Sequence, residues 1–174
     1  MSHKKIAIVT GANNGVGLET AKGLAQQNFK VIMACRNLEK AKKAKASILA
    51  DVPNADLEII LIDLSESASI NSFCKEFRDS HKQLDVLVNN AGILTFKVVK
   101  NADGIESQFS TNHLGHFLLT AQLFDLFPDT SDSRIISLSS VAHKSAKIHF
   151  ENLDCDEDGS TAYGQSKLAC LLFA

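Results

Sequence analysis

The sequence predicts an α/β fold in which a doubly wound parallel sheet carries helices on both faces. Short apolar runs of strand length alternate with longer segments whose apolar residues recur at helical spacing. A glycine-rich turn joins the first strand to the first helix. Strands that alternate with helices favour parallel pairing, and right-handed crossovers place the helices on both faces of the sheet. The length of 174 residues suits a single domain over residues 1–174.

The order of the elements follows from this alternation. The predicted strands are residues 6–9, 31–34, 57–62, 86–88 and 134–138. Helical spacing predicts helices over residues 16–27, between Asn37 and Pro53, through Ile70 and Phe77, and over residues 107–126. Residues 151–160 are acidic and predict a loop, and residues 161–174 predict one more helix.

The composition is that of an ordinary globular protein. Apolar residues make up 45% of the chain and charged residues 22%, which argues against disorder. The formal net charge of -2 offers no basic field for nucleic acid, so no nucleic-acid partner is expected. The lysines at positions 40, 42, 43 and 45 fit a solvated helix face.

The cysteines and the apolar runs bear on location. Cys35, Cys74, Cys155 and Cys170 form no CxxC pair, and no secretory leader precedes the fold. The first apolar run is far too short to span a bilayer. We therefore expect free thiols, no membrane span and a cytoplasmic location.

Residues 10–17, Thr-Gly-Ala-Asn-Asn-Gly-Val-Gly, lie between a buried strand and a helix. Glycines there permit a tight turn, close approach of the backbone to a pyrophosphate and close packing of the helix on the sheet. The helix N-terminus then directs free N–H groups and its positive dipole end at the phosphates. The pattern predicts a Rossmann-type dinucleotide site formed by Gly11, Asn13, Asn14, Gly15, Val16 and Gly17. The alternative is a purely structural turn.

The end of the second strand bears on the choice of cofactor. An acid there would hold the ribose 2′-hydroxyl of NAD. Residues 33–37 are instead Met-Ala-Cys-Arg-Asn, and Arg36, next to Asn37, can pair with a 2′-phosphate and stack on adenine. The sequence therefore favours NADP(H) over NAD(H), with a solvated surface arginine as the alternative.

Tyr163, the only tyrosine, lies four residues before Lys167 in a predicted helix, so the two side chains share a face. A nearby cation favours the phenolate, and such a phenol can exchange a proton with a substrate oxygen. Hydride transfer between an alcohol or carbonyl and a nicotinamide needs this proton step. The alternative is an ordinary surface pair on a helix.

Ser139 and Ser140 follow the fifth strand, at the edge where parallel sheets bind ligands. A hydroxyl there can hydrogen-bond a substrate oxygen as charge shifts onto it. The other role open to such a serine is capping or turn hydrogen bonding, which we expect of Ser139.

These motifs, in this order, resemble the short-chain dehydrogenase/reductase family over essentially the whole chain. The family fingerprint Thr-Gly-xxx-Gly-x-Gly is followed by Asn-Asn-Ala-Gly, matched by residues 89–92, and by Tyr-xxx-Lys. The resemblance implies that Tyr163 is the acid–base and that Lys167 assists it. It also implies that Ser140 polarises the substrate oxygen and that Asn112 supports a helix kink and a proton relay.

The same resemblance implies further cofactor contacts. Asp63 and Leu64, at the end of the third strand, match the positions that the family uses near adenine. The other implied contacts come from Asn90, Ala91, Gly92, Tyr163 and Lys167. His113 and His116 lie three residues apart without a thiol or carboxylate partner, so no metal site is predicted, and both are expected to have packing or solvated roles.

Several segments point to one branch of the family. Residues 31–41, 111–119 and 148–153 look most like the branch that holds retinol-dehydrogenase-like enzymes, the WW-domain oxidoreductase and light-dependent protochlorophyllide reductase. Homodimers in the family use the helices around the positions of Asn112 and Tyr163, so a homodimer is one expectation. Members also continue beyond this last helix with at least one further strand, so we expect an incomplete sheet that lacks its last strand or strands.

The sequence thus predicts an NADP(H)-dependent oxidoreductase that acts on a small-molecule alcohol or carbonyl. Two alternatives stay open. One is a cofactor-binding or interaction protein without turnover, which the missing C-terminal part favours. The other is light-driven reduction of a tetrapyrrole double bond, as in the protochlorophyllide reductases.

Overall fold

The computed structural model describes residues 4–129, 132–154 and 158–174. Its strands are β1 (Ile6–Thr10), β2 (Lys30–Cys35), β3 (Asp56–Leu61), β4 (Val86–Asn89) and β5 (Arg134–Ser137). Its α-helices are α1 (Gly15–Gln26), α2 (Leu38–Asp51), α3 (Ser67–Ser80), α4 (Ser107–Phe109), α5 (Gly115–Leu123) and α6 (Gly159–Phe173). A π-helical segment, Ser110–Leu114, joins α4 to α5.

The described strands form one parallel sheet in the order β3-β2-β1-β4-β5. The chain first builds outward from β1 to β3 and then returns to add β4 on the other side of β1. This reversal leaves a crevice at the carboxyl ends of β1 and β4, where open parallel sheets bind ligands. The predicted α/β class and parallel sheet are therefore confirmed.

Two cores flank the sheet because successive side chains of each strand point to opposite faces. Along β1, Ile6 and Ile8 join the core beneath α3 and α5, whereas Ala7 and Val9 join the core beneath α1 and α2. The largest aromatic contribution comes from Phe73 and Phe77 of α3, which are almost fully buried. Each such side chain stabilises the fold by about 1.5–3 kcal/mol relative to exposure.

The helix predicted over residues 107–126 is not uniform. It consists of α4, the π-helical segment, α5 and a short 3₁₀ turn, Phe124–Leu126. Apolar periodicity does not predict the π-helical segment. Hydrogen bonds from side chains to other elements accompany this segment, and the spacing of apolar residues gives no sign of them. π-helical turns occur frequently at functional sites.

Helix α6 begins at Gly159, two residues earlier than predicted. Asp158 caps it, because its carboxylate accepts hydrogen bonds from Ser160 N (2.7 Å) and Thr161 N (2.9 Å). The end of the predicted loop over residues 151–160 is therefore wrong, and residues 155–157 lie outside the described part of the chain.

Three of the expected thiols can be placed. Cys35, Cys74 and Cys170 are free and buried, and burial raises the pKa of the Cys35 and Cys74 thiols to about 11. Cys155 lies outside the described residues. Among the residues that the structure describes, no helix is both long and apolar enough to cross a membrane. The cytoplasmic location stays a prediction.

Candidate active site

A cleft of about 400 Å³ opens at the carboxyl edge of the sheet, between the glycine-rich turn and the segment after β4. Of the predicted cofactor residues, those that line it are Gly11, Asn13, Asn14, Val16, Gly17, Arg36, Asp63, Leu64, Asn90, Ala91 and Gly92. Ala34, Ile62, Ile93 and Thr111 also line the cleft and were not predicted. Each lies within two residues of a predicted position. Their closeness to the motifs is therefore the feature of the sequence from which they could have been predicted.

The glycine-rich turn has the backbone that its glycines predict. Gly11 and Gly15 have φ angles of 66° and 51°, in the left-handed region that favours glycine. A Cβ atom on Gly17 would overlap the Asn90 amide and lie 2.5 Å from the Gly11 carbonyl oxygen. Gly15 shapes the turn without lining the cleft.

The start of α1 is open to an anion. Asn14 is its N-cap residue, but its side chain makes no capping hydrogen bond, and the first turn carries no acidic residue. The first N–H groups of the helix therefore keep their capacity to bind phosphate oxygens. Together with the glycine backbone, this arrangement fits the pyrophosphate of a dinucleotide.

Thr10 holds the turn against the segment after β4. Its hydroxyl oxygen accepts hydrogen bonds from Asn90 N and Ala91 N, both at 2.9 Å. The Asn90 side-chain amide donates to the Thr10 carbonyl at 2.7 Å. Two walls of the cleft are thus fixed to each other by Thr10, a residue of the glycine-rich motif for which this role was not predicted.

Arg36 lies at the outer end of the cleft. Its side chain is 72% exposed, and its Nη1 atom lies 3.7 Å from Asp63 Oδ2. Asp63 Oδ1 also accepts hydrogen bonds from Ser65 N (3.0 Å) and Ser65 Oγ (2.6 Å), which hold the carboxylate in place. Exposed ion pairs contribute little stability, so Arg36 stays available to a ligand phosphate.

Asn37 does not line the cleft, because its side chain caps α2 by accepting from Lys40 N at 2.9 Å.

Tyr163 and Lys167 lie one turn apart on α6. The Lys167 ammonium is 5.9 Å from the centroid of the Tyr163 ring and donates to the Leu138 carbonyl at 3.1 Å. A Cβ atom on Gly92 would lie 3.2 Å from Lys167 Nζ. The buried ammonium therefore stands directly behind the wall of the cleft.

The capping role expected of Ser139 belongs to Ser140 in the structure. Ser140, rather than Ser139, caps the 3₁₀ turn Val141–Ser145, because Ser140 Oγ accepts from Ala142 N at 3.3 Å. Ser139 Oγ instead donates to the Lys167 carbonyl at 2.7 Å and so fastens the end of β5 to α6. The expectation that capping falls to Ser139 was wrong, because α6 packs against Ser139 and leaves Ser140 to begin the turn.

The 3₁₀ turn after Ser140 packs against α6 beside Tyr163. A Cβ atom on Gly164 would lie 3.2 Å from Ala146 Cβ and 3.3 Å from the Ala142 carbonyl oxygen. The structure thus brings the segment that begins at Ser140 close to the helix of Tyr163 and Lys167.

Asn112 lies within the π-helical segment and is 1% exposed. Its Oδ1 atom accepts from Ile93 N (2.8 Å), while Nδ2 donates to the Ile93 carbonyl (3.0 Å) and to Ser166 Oγ (3.0 Å). Asn112 therefore joins the cleft wall to α6, next to Lys167. Within the described ranges, His113 and His116 belong to no group of three potential metal ligands.

Comparison with known proteins decides the family. The family model described as short chain dehydrogenase matches residues 5–174. The chain belongs to the short-chain dehydrogenase family. This places the cleft, the Tyr163–Lys167 pair and the parallel sheet in a family of oxidoreductases.

Curated relatives within this family are retinol dehydrogenases. Retinol dehydrogenase 11 of Mus musculus is 44% identical over 171 residues, which are 97% of this chain and 54% of the relative. Human retinol dehydrogenase 13 is 41% identical over 172 residues, with 97% and 52% covered. The retinol-dehydrogenase-like resemblance is confirmed, and the chain spans about half the length of the curated relatives it matches.

Solved structures give the same fold. A protein of uncharacterized function from Mycobacterium paratuberculosis is 38% identical with a TM-score of 0.84, covering 97% of this short-chain dehydrogenase and 59% of that chain. The Pseudomonas aeruginosa RhlG/NADP active-site complex is 27% identical with a TM-score of 0.78, covering 97% and 64%.

Proposed function

We propose that the chain forms the cofactor-binding part of an NADP(H)-dependent oxidoreductase that interconverts an alcohol and a carbonyl. The observation that carries this proposal is the position of the Tyr163–Lys167 pair, whose ammonium lies against Gly92 at the wall of the dinucleotide-shaped cleft. The nicotinamide, when bound, supplies or accepts a hydride.

Arg36 supports the preference for NADP(H). It is the basic side chain among the residues that line the cleft, and it lies where β2 ends without an acid. A guanidinium can form a charge-assisted, two-pronged hydrogen bond with a 2′-phosphate. In this proposal the phosphate takes the place of Asp63 as the partner of Arg36.

The proton step is assigned to Tyr163. In reduction its phenol donates a proton to the substrate carbonyl oxygen, and in oxidation its phenolate accepts one from the alcohol. Lys167 assists Tyr163 from one turn away on α6, with its ammonium 5.9 Å from the centroid of the Tyr163 ring. The Ser140 hydroxyl hydrogen-bonds the substrate oxygen, and Asn112 keeps the cleft wall and α6 in register.

The names of the relatives support a proposal for the substrate class. Retinol dehydrogenases at 41–44% identity make a retinoid alcohol or aldehyde the first substrate to test.

A second copy of the chain is the proposed protein partner, since Phe117 and Leu172 are 51% and 70% exposed beside an apolar groove of about 400 Å³. Sedimentation velocity over a range of concentrations tests this dimer.

The test of the reaction is turnover of NADPH with retinal, and of NADP⁺ with retinol, followed by absorbance. We expect Tyr163→Phe to lower kcat by about 10²–10⁴-fold, because it removes the proton donor and keeps the ring. Unchanged kcat in this variant contradicts the mechanism. NADPH binding by calorimetry without turnover of any alcohol or carbonyl favours a cofactor-binding protein instead.

The preference for NADP(H) is tested separately, with a substitution of Arg36. Arg36→Gln should weaken NADPH binding by about 10–100-fold, because a charged hydrogen bond to the 2′-phosphate is lost. NADH binding should be almost unchanged. An equal loss for both cofactors contradicts the role of Arg36 in discrimination.

A further inference from the structure

Four buried polar residues lie at every fourth position along the helical segment that contains the π-helical turn. Gln108, Asn112, His116 and Thr120 are each at most 5% exposed. A spacing of four keeps them on one face of the segment. We call this row the polar seam. A buried polar row between apolar cores costs free energy unless each member is hydrogen-bonded.

Each member of the polar seam holds a different part of the molecule. The Gln108 side-chain amide donates to the Gly159 carbonyl at the start of α6 (2.7 Å), and Asn112 binds Ile93 and Ser166. Thr120 Oγ1 accepts from the Asn89 side-chain amide at the end of β4 (3.1 Å). His116 alone among the four reaches the strand that leads into the glycine-rich turn.

His116 lies between Thr10 and Asn112. Its Nδ1 atom is 2.9 Å from the Asn112 carbonyl oxygen, and its Nε2 atom is 2.9 Å from Thr10 Oγ1. A carbonyl oxygen only accepts hydrogen bonds, so Nδ1 must carry the proton and donate. In the neutral ring Nε2 is then an acceptor, and the Thr10 hydroxyl donates to it rather than to the more distant Val88 carbonyl at 3.3 Å.

The environment keeps the ring neutral. Burial lowers the pKa of His116 to about 4, and the charges of Lys167 and His113 act in the same direction, against the hydrogen bond to the Asn112 backbone. Because the Thr10 hydroxyl proton is directed at Nε2, the Thr10 oxygen presents its lone pairs to Asn90 N and Ala91 N. Both of these residues line the cofactor cleft.

The other end of His116 acts on the helix pair. The Asn112 carbonyl that His116 binds also accepts from Cys170 Sγ of α6 at 3.1 Å. Cys170 lies one turn beyond Lys167 on that helix. The ring therefore joins Thr10 to the Asn112 carbonyl by one accepted and one donated hydrogen bond, and the Cys170 thiol joins that carbonyl to the helix of Tyr163 and Lys167.

We propose that His116 is a positioning residue that couples the cofactor turn, through Thr10, to the Asn112 carbonyl and the helix of the Tyr163–Lys167 pair. The inference deepens the proposed function and rests on it for its consequence in cofactor binding. The hydrogen-bond relay itself is a property of the chain without cofactor and can be tested separately.

Two substitutions separate the two ends of the ring. In His116→Asn the side-chain amide matches the position of Nδ1 and can still donate to the Asn112 carbonyl, but it cannot reach Thr10. In His116→Gln the longer side chain matches the position of Nε2 and can accept from Thr10, but the donor at Nδ1 is lost. His113→Gln, three residues away and outside the polar seam, is the matched control.

Hydrogen exchange of the Asn90 and Ala91 amides gives a readout that does not depend on turnover. We expect faster exchange of both amides in His116→Asn and near-normal exchange in His116→Gln and His113→Gln. NADPH affinity should follow the same order, with a loss of about 5–10-fold in His116→Asn, the equivalent of one hydrogen bond. Equal effects of the Asn and Gln substitutions overturn the proposal, since a purely structural role does not distinguish them.

The tautomer can be measured without any substitution. The ¹⁵N chemical shifts of the His116 ring should show a protonated Nδ1 and a bare Nε2 at neutral pH. An Nε2–H tautomer or a charged ring overturns the proposal even where the variants fail to fold. If the wild-type chain binds no NADPH, the proposed function fails, while the exchange pattern and the tautomer still decide the role of His116.

Discussion

Gly17 and Gly23 lie in the same helix, α1, but in opposite surroundings. A Cβ atom on Gly17 would overlap the Asn90 amide and the backbone of Gly11, whereas one on Gly23 meets no atom within 4 Å. The first glycine is therefore required by packing of the helix against the turn. The second only weakens the helix, because glycine has a higher conformational entropy to lose than alanine.

Alanine substitution at these two positions should have opposite effects. Gly17→Ala should destabilise the fold and weaken NADPH binding by at least about tenfold, because the turn must open by the width of a methyl group. Gly23→Ala should raise the free energy of unfolding by about 0.5–1 kcal/mol and leave NADPH binding unchanged. Urea denaturation and NADPH titration measure both effects. A loss of stability in both variants contradicts the packing argument.

Single residues differ in how far the sequence could place them. Arg36 and the glycines were identified from their position after a strand, and the structure puts Arg36 and most of those glycines at the cleft. Asn112 needed the family resemblance, because a polar residue in a helix has many roles. His116 was expected to have a packing or solvated role, although the spacing of four residues between positions 108, 112, 116 and 120 is visible in the sequence. Its contact with Thr10 joins residues 106 positions apart, which no local pattern shows.

At the scale of elements, hydrophobic periodicity placed the strands of the sheet to within a residue or two. The described β1, for example, runs one residue beyond the predicted 6–9, and β5 ends one residue before the predicted 138. The irregular elements were not predicted, because side-chain hydrogen bonds to distant segments accompany the π-helical turn. The early start of α6 had a local signal, since Asp158 precedes Ser160 and Thr161.

The cap of α6 gives a prediction at this scale. Hydrogen bonds from Ser160, followed by those from Thr161, lower the pKa of the Asp158 carboxyl to about 2. Asp158→Ala should lower the melting temperature, because two N–H groups at the start of α6 lose their acceptor. Asp158→Asn keeps an acceptor oxygen and should retain most of the stability at neutral pH. Equal melting temperatures for the wild type and Asp158→Ala argue against the cap.

At the scale of the whole molecule, the candidate site lies where the order of strands in the sheet reverses, between β1 and β4. The glycine-rich turn and Arg36 follow β1 and β2 on one side, while the Tyr163–Lys167 helix is fastened to the end of β5 on the other. The polar seam crosses between the two sides inside a core that is otherwise largely apolar. Stability and site geometry therefore depend on the same buried polar groups, His116 among them.

Acidification should destabilise the fold through His116, which is buried, and His113, which is half-buried. Burial lowers the pKa of His116 to about 4 and also lowers that of His113, against an unfolded value of 6.5. Between those pH values the unfolded chain binds more protons than the folded one, so stability is full above about pH 6.5 and falls towards pH 4. The His116 contribution amounts to roughly 3 kcal/mol across this window. Denaturant titrations at several pH values measure the slope, and His116→Gln should reduce it by close to one proton. An unchanged slope in that variant means that other groups control the acid transition and that the His116 ring is not held neutral by the fold.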